Sequence, residues 1–307
     1  MYICRLFNKQ NKSIFDTMSF RIVVLAKQVP DTRNVGKDAM KADGTVNRAA
    51  LPAIYNPEDL NALEMALRIK KMRNDVEVII LTMGPPRAAE IIRESIYRGA
   101  DKGYLITDRK FAGSDTLATS YAISLAVKKL APYHLIISGR QAIDGDTAQV
   151  GPQAAEKLGI PQITYAEELV SVDENHIVIK RRLERGIEVV KSPLPALLTV
   201  HSSAPDCRPR NAKLLMKYKH ARTVTELQEE TRDYTELYNK RPYLQIEEWT
   251  VADLDADVEM LGLSGSPTKV KKIENVVLQQ KDSVNLTDSD KDVESLIKEL
   301  LSTHIIG

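Results

Sequence analysis

The sequence predicts a doubly wound α/β fold, a parallel sheet covered by helices on both faces, and three observations predict it. Residues 21–29, 76–81, 102–106 and 135–138 form short apolar runs without polar alternation, as strands buried on both faces require. Helical patterns of roughly a dozen residues separate them. The runs end in Pro, Gly or other turn residues, and ligands of such sheets bind beyond the carboxyl ends of the strands.

The elements follow in order. Residues 21–29 (RIVVLAKQV) form a strand ended by Pro30-Asp31. After a turn-rich stretch, Asn56-Pro57-Glu58-Asp59 opens a helix, with Asn56 as N-cap, Pro57 in the first turn, and Leu60, Leu63, Ala66, Leu67 and Ile69 at helical spacing. Residues 76–81 (VEVIIL) are the second strand, 88–98 a helix closed by Gly99, and 102–106 the third strand. A helix over 115–130 has Asp115 near its start and Lys128-Lys129 in its last turn, as the helix dipole favours. The fourth strand, 135–138 (LIIS), runs straight into Gly139-Arg140. Beyond Pro161, residues 176–182 and 186–191 alternate apolar and polar side chains about a turn, which predicts a β-hairpin, and 197–201 returns to the sheet. A last helical pattern covers 293–301. The expected organisation is an N-terminal extension, 1–17, read as a disordered tail; a nucleotide-binding domain, 18–204; and a segment, 205–307, too polar for its own core, that covers another domain or chain.

Composition excludes several classes. The 307 residues carry 43 Lys+Arg against 42 Asp+Glu, a net charge of +1, so no global field draws nucleic acid or an anionic bilayer. No apolar run approaches the ~20 residues of a membrane span. Cys4 and Cys207, the two cysteines, are far apart and lack zinc-ligand spacing, which fits a reducing, cytoplasmic compartment. Aromatic residues make up 5%, with the single Trp249, too few for an aromatic-lined nucleic-acid groove.

The richest constellation is 139–151, GRQAIDGDTAQVG, which joins a buried strand to a helix. Such a loop offers backbone N–H groups and the positive end of a helix dipole to a pyrophosphate. Arg140 adds a cation, and Thr147 and Gln149 add neutral donors. Asp144 and Asp146 would repel phosphate, so they hold the loop through backbone N–H groups or bind ribose hydroxyls. An ordinary βα loop is the plainer reading. A calcium loop fails because Ala155 stands where the closing Glu belongs. G-x-G-x-x-G, P-loop, nucleophile-elbow and H-E-x-x-H motifs do not occur, and the five histidines are scattered. With no acid, base or nucleophile set, hard chemistry falls to a bound cofactor. Residues 208–222 are basic and amphipathic; a solvated face and a docking element both fit, with Leu214, Leu215 and Met216 as apolar anchors.

At these residues the chain resembles the beta subunit of electron-transferring flavoprotein. The resemblance runs from about Arg21 through Val200 and more loosely beyond. It rests on Ala26-Lys27-Gln28-Val29-Pro30-Asp31, Tyr55-Asn56-Pro57-Glu58-Asp59, Thr82-Met83-Gly84-Pro85, Arg93 with Gly99-Ala100-Asp101, and above all Gly139-Arg140-Gln141-Ala142-Ile143-Asp144-Gly145-Asp146-Thr147. It implies a Rossmann-like, adenine-nucleotide-binding fold in a heterodimer with an alpha subunit that holds one FAD. The implied nucleotide site comprises Leu25, Ala26, Asn56, Asp59, Thr82, Met83, Gly139, Arg140, Gln141, Asp144, Gly145, Asp146, Thr147, Ala148, Gln149, Val150 and Gly151.

Ordinary members hold AMP there and carry a bulkier, more acidic loop. The small Gly145, Thr147, Ala148 and Val150 make this chain similar to the electron-bifurcating branch, in which a second FAD replaces AMP. The resemblance then implies hydride uptake from NADH, one electron for ferredoxin or flavodoxin, and one for the alpha-subunit FAD. From there it passes to an acyl-CoA dehydrogenase, as in fatty acid beta-oxidation, or to a quinone reductase. The family's partner-recognition loop corresponds to 208–222, with Leu214 or Leu215 as anchor and Lys213 and Lys217 beside it; the usual Pro-Arg-Tyr and Ala-Lys-Lys-Lys elements are missing, as is Pro-Pro-x-Arg in the tail. Two alternatives are a conventional subunit with structural AMP and a non-redox ATP- or AMP-binding sensor of the same fold.

Overall fold

In chain order the strands are β1 (Phe20–Leu25), β2 (Gln28–Pro30), β3 (Ala53–Tyr55), β4 (Val76–Met83), β5 (Lys102–Ile106), β6 (Leu135–Gly139), β7 (Gln162–Val172), β8 (His176–Leu183), β9 (Gly186–Pro193), β10 (Ala196–Val200), β11 (Arg222–Thr223) and β12 (Gln245–Trp249). The helices are α1 (Pro57–Met72), α2 (Ala89–Arg98), α3 (Thr116–Lys129), α4 (Val150–Leu158), α5 (Ala212–Lys217), α6 (Val224–Glu229), α7 (Thr235–Lys240) and α8 (Asp290–Ser302). They belong to a computed structural model that describes residues 19–31, 52–231, 233–268 and 283–306. The chain divides into two units, Met1–Lys271 and Lys272–Gly307. The predicted extension 1–17 lies outside the described residues.

Ten strands form one sheet in the order β11-β12-β5-β4-β1-β6-β10-β7-β8-β9. Neighbours from β11 to β7 are parallel, and β8 and β9 close the edge as an antiparallel hairpin. The chain steps outward from β1 to β4 and β5, then returns to place β6 on the other side of β1. Strand order therefore reverses between β1 and β6, whose carboxyl ends lie side by side with Leu25 opposite Ser138. Successive side chains of β1 serve opposite faces, as the twofold strand period requires. Ile22 and Val24 join the core under α1 and α2 with Leu63, Ile91 and Ile92. Val23 and Leu25 join the core under α3 and α4 with Ile123, Ala126, Ala154 and Ala155.

Two expectations need correction, and one strand was not anticipated. The predicted strand 21–29 is two strands: at Ala26-Lys27 the chain leaves the sheet, and β2 pairs antiparallel with β3. Asn56 stands at the N-cap of α1 but makes no side-chain cap bond. Strand β7 was not predicted, because its two register shifts break the apolar alternation. Within the first unit, β11 and β12 extend the sheet beyond β5, and Trp249 stacks on Tyr104 with centroids 4.3 Å apart.

In the second unit α8 spans the predicted pattern and is capped by Ser289, whose side chain accepts from Asp292 N–H. Its Val293, Ile297 and Leu301 are all exposed.

Candidate functional site

The carboxyl ends of β1, β4 and β6 and the starts of α3 and α4 surround a cavity of about 350 Å³. It lies at the strand reversal, where open α/β sheets bind their ligands. A larger hollow of about 650 Å³, beside Arg21, Lys102, Gln245 and Trp249, reaches the opposite, amino ends of the strands.

The first turn of α1 organises the cavity from behind. Pro57 sets the helix start, and Glu58 and Asp59 follow where the helix dipole favours carboxylates. Asp59 accepts the N–H of Lys27 at 2.8 Å with one oxygen and that of Gly139 at 2.9 Å with the other, bridging the ends of β1 and β6. Glu58 accepts the N–H of Gln141 at 3.0 Å and pairs with the Arg140 guanidinium at 2.9 Å. The Asn56 side chain donates to the carbonyl of Gln141 at 2.9 Å and accepts from Ile143 N–H at 3.2 Å. Three polar side chains within four residues, Asn56, Glu58 and Asp59, thus fasten the loop after β6 to one helix start. Burial pushes the Asp59 carboxyl up to about 7, against the lowering pull of the Lys27 and Gly139 amides and of Asn56.

Close approach at this point needs glycine. A Cβ on Gly139 would lie 2.5 Å from Asp59 Oδ1, and one on Gly151 would lie 2.8 Å from Thr199 Cγ2. Farther along the loop, Asp146 and Ala148 take φ of 50° and 53°, a left-handed conformation that costs a non-glycine residue about 1–2 kcal/mol. Gln141 Nε2 donates to Asp146 at 2.9 Å, and Thr116 Oγ donates to Gln149 Oε1 at 3.0 Å, joining the starts of α3 and α4.

The cavity wall offers unmatched donors. No side chain caps α4, whose Val150 and Gly151 border the cavity. Ser138 Oγ, also on the wall, is buried with no hydrogen-bond partner among the described residues. A phosphate or ribose hydroxyl satisfies such groups, so the residues present fit a nucleotide. Leu25, Ala26, Leu81, Met83 and Ile123 supply an apolar wall.

The structure brings most of the predicted site together. Leu25, Ala26, Asp59, Met83, Gly139, Arg140, Gln141, Gly145, Asp146, Thr147, Ala148, Gln149, Val150 and Gly151 line the cavity; Asn56, Thr82 and Asp144 do not. Asn56 and Thr82 are buried behind it. The expectation that the two loop carboxylates hold backbone N–H groups is corrected: Asp144 binds the Lys27 ammonium at 2.8 and 2.9 Å and Asp146 binds the Gln141 side chain, while the N–H groups of Gly139, Gln141 and Ile143 go to Asp59, Glu58 and Asn56. Sequence reasoning missed Lys27, Ser114, Asp115, Thr116, Thr119 and Ser138. For the α3 start a signal existed, since Asp115 follows another parallel strand and caps α3 through Leu117 and Ala118 N–H at 2.9 and 3.1 Å.

In the basic segment, α5 is a six-residue helix capped by Asn211. Leu214 and Leu215 are half-buried, Leu214 against the main core, whereas Met216 is 67% exposed. Lys213 is exposed, and the Lys217 ammonium sits 4.9 Å from the ring centroids of both Tyr218 and Tyr243. Arg208 and Arg222 are engaged by Glu64 at 2.9 Å and Glu230 at 2.8 Å. Burial pushes the Cys207 thiol up to about 11, which keeps it protonated and unreactive at neutral pH. Among the described residues no group of three His, Cys, Asp or Glu side chains could hold a metal ion, and no helix is long and apolar enough to cross a membrane.

Fold and cavity together define a doubly wound α/β protein with a nucleotide-type site at its strand reversal. The sequence model of the electron transfer flavoprotein domain matches residues 43–228. The electron transfer flavoprotein subunit beta of Megasphaera elsdenii is 42% identical over 258 residues, 82% of this chain and 86% of that protein. The caffeyl-CoA reductase-Etf complex subunit CarD of Acetobacterium woodii is 40% identical over 251 residues, 81% of this chain and 86% of its own. The acryloyl-CoA reductase electron transfer subunit gamma of Anaerotignum propionicum is 41% identical over 291 residues, 93% of this chain and all of its own length. The chain belongs to the electron transfer flavoprotein family, as a beta subunit.

Proposed function

We propose that this subunit, paired with an electron transfer flavoprotein alpha subunit, holds a second FAD in the strand-reversal cavity and takes part in electron bifurcation. The observation that carries the reading is the open side of the 139–151 loop, where a Cβ on Gly145 would meet no atom within 4 Å and the neighbouring Thr147, Ala148 and Val150 are small. Leu25, Ala26 and Met83 would hold the adenine; Ser138, Thr147, Gln149 and the uncapped start of α4 would hold ribose and phosphates; the small residues would accommodate the flavin end. When bound, the flavin supplies hydride acceptance from NADH and one-electron delivery to ferredoxin or flavodoxin and to the alpha-subunit FAD. The protein contributes position: Asn56, Glu58 and Asp59 fix the loop, and the left-handed Asp146 and Ala148 shape its rim.

Electrons from the alpha subunit would go to an acyl-CoA dehydrogenase or quinone reductase docked at α5, with Met216 as the exposed apolar contact and Lys213 and Lys217 steering. Two relatives named for caffeyl-CoA and acryloyl-CoA reductases support an acceptor that acts on acyl-CoA. A conventional subunit holding AMP is the second reading, favoured by the cavity volume of about 350 Å³, near the lower end of the roughly 300–1,000 Å³ of ligand pockets. Quantifying the FAD and AMP released by the purified heterodimer separates the two.

A further inference from the structure

Among the described residues two cations line the cavity, Lys27 and Arg140, and they are held in different ways. Arg140 is committed: its guanidinium pairs at 2.9 Å with Glu58, a buried carboxylate that also accepts Gln141 N–H, and lies 5.7 Å from the ring centroid of Tyr165. Lys27 combines a fixed backbone with a loose side chain. Its N–H donates to Asp59 at 2.8 Å and its carbonyl accepts from Asn56 N–H at 3.0 Å, so the Cα cannot drift. Its ammonium meets both oxygens of Asp144, at 2.8 and 2.9 Å, in a pair whose side chains are 48% (Lys27) and 21% (Asp144) exposed.

Such exposed pairs contribute little net stability. A phosphate carries more charge and more acceptor oxygens than a carboxylate. Lys27 lines the cavity and Asp144 does not, so a swing of the flexible lysine side chain away from Asp144 would bring the ammonium to a phosphate held there.

We propose that Lys27 is the phosphate-reading residue of this cavity and that its pair with Asp144 is exchangeable, so that a nucleotide phosphate competes with Asp144 for the ammonium. The inference rests on the nucleotide reading above. It makes an asymmetric prediction: removing the lysine charge weakens phosphate-bearing ligands, and removing the aspartate charge strengthens them. If the pair were only a structural tie, both changes would act in the same direction.

The test is equilibrium dialysis of the heterodimer, previously dialysed against nucleotide-free buffer, with ADP, AMP and adenosine. The proteins compared are wild type, Lys27→Met, Lys27→Arg and Asp144→Asn. Lys27→Met should weaken ADP and AMP about tenfold, the scale of one charge-assisted hydrogen bond, and leave adenosine unchanged. Asp144→Asn should tighten ADP and AMP about threefold, as expected for a competing charge in a partly solvated pair, again without effect on adenosine. Lys27→Arg, which keeps the charge, should retain most of the ADP affinity. Equal weakening by Lys27→Met and Asp144→Asn, no change in either, or a parallel change for adenosine would overturn the assignment. Wild type that binds none of the three would overturn the nucleotide reading itself.

Discussion

Gly139 and Asp59 approach so closely that the glycine N–H donates to Asp59 Oδ1 at 2.9 Å and a Cβ on the glycine would stand 2.5 Å from that same oxygen. The contact ties the end of β6, where the nucleotide loop begins, to the first turn of α1. Gly139→Ala must push the loop and the helix apart. We expect a loss of about 1–3 kcal/mol in unfolding free energy by urea titration, the usual scale of overpacking. The beta-site nucleotide should be lost while the alpha-subunit flavin stays. Normal nucleotide content in this variant would contradict the positioning role of the clamp.

Asp59 gives the clamp a pH dependence. Burial raises its carboxyl from the ordinary 3.8 to about 7, so the folded state holds a proton that the unfolded chain has released. Stability from a raised carboxyl is fully present below its unfolded value and is lost as pH rises through the folded one. Between about pH 4 and 7 the wild type should therefore lose up to a few kcal/mol from this group. Asp59→Asn should flatten that slope in urea midpoints, and the same slope in both proteins would contradict the assignment.

Gly145→Asp probes the open side of the loop. Nothing lies within 4 Å of a Cβ there, so the fold should tolerate the change within about 0.5 kcal/mol, as surface substitutions usually are. Charge and bulk then stand at the proposed flavin end. The beta-site flavin should fall well below one per heterodimer with the alpha-subunit FAD retained; unchanged stoichiometry would place that site elsewhere.

At α5 the apolar residues have different duties. Leu214 packs on the core, so Leu214→Ala should lower stability by about 1–2 kcal/mol. Exposed Met216 and Lys217 are the better probes of docking. Met216→Ala with Lys217→Ala should raise the KM for the protein acceptor severalfold and leave reduction of a small dye intact. Equal loss with both acceptors would count against docking there.

Legibility in the sequence followed burial. β1, β4, β6 and β10 lie within a parallel sheet, so their continuous apolar runs announced them. β12 lies near the sheet edge and reads Gln245-Ile246-Glu247-Glu248-Trp249, polar enough to resemble a covering arm. β7 hid behind its register shifts. Within the site, the strand ends were legible because topology alone selects them. Lys27 carries no such signal, because its partner Asp144 is 117 residues away and only the folded chain joins them. In the sequence Asn56 reads as an N-cap and, with Asp59, as a ligand contact; their bonds to the loop after β6 depend on the same three-dimensional convergence.

The most direct test of the central claim is a flavin count on freshly purified heterodimer, followed by NADH addition without any acceptor. The account predicts two FAD per heterodimer and bleaching of flavin absorbance by NADH. One FAD with one AMP, and no bleaching, would contradict it.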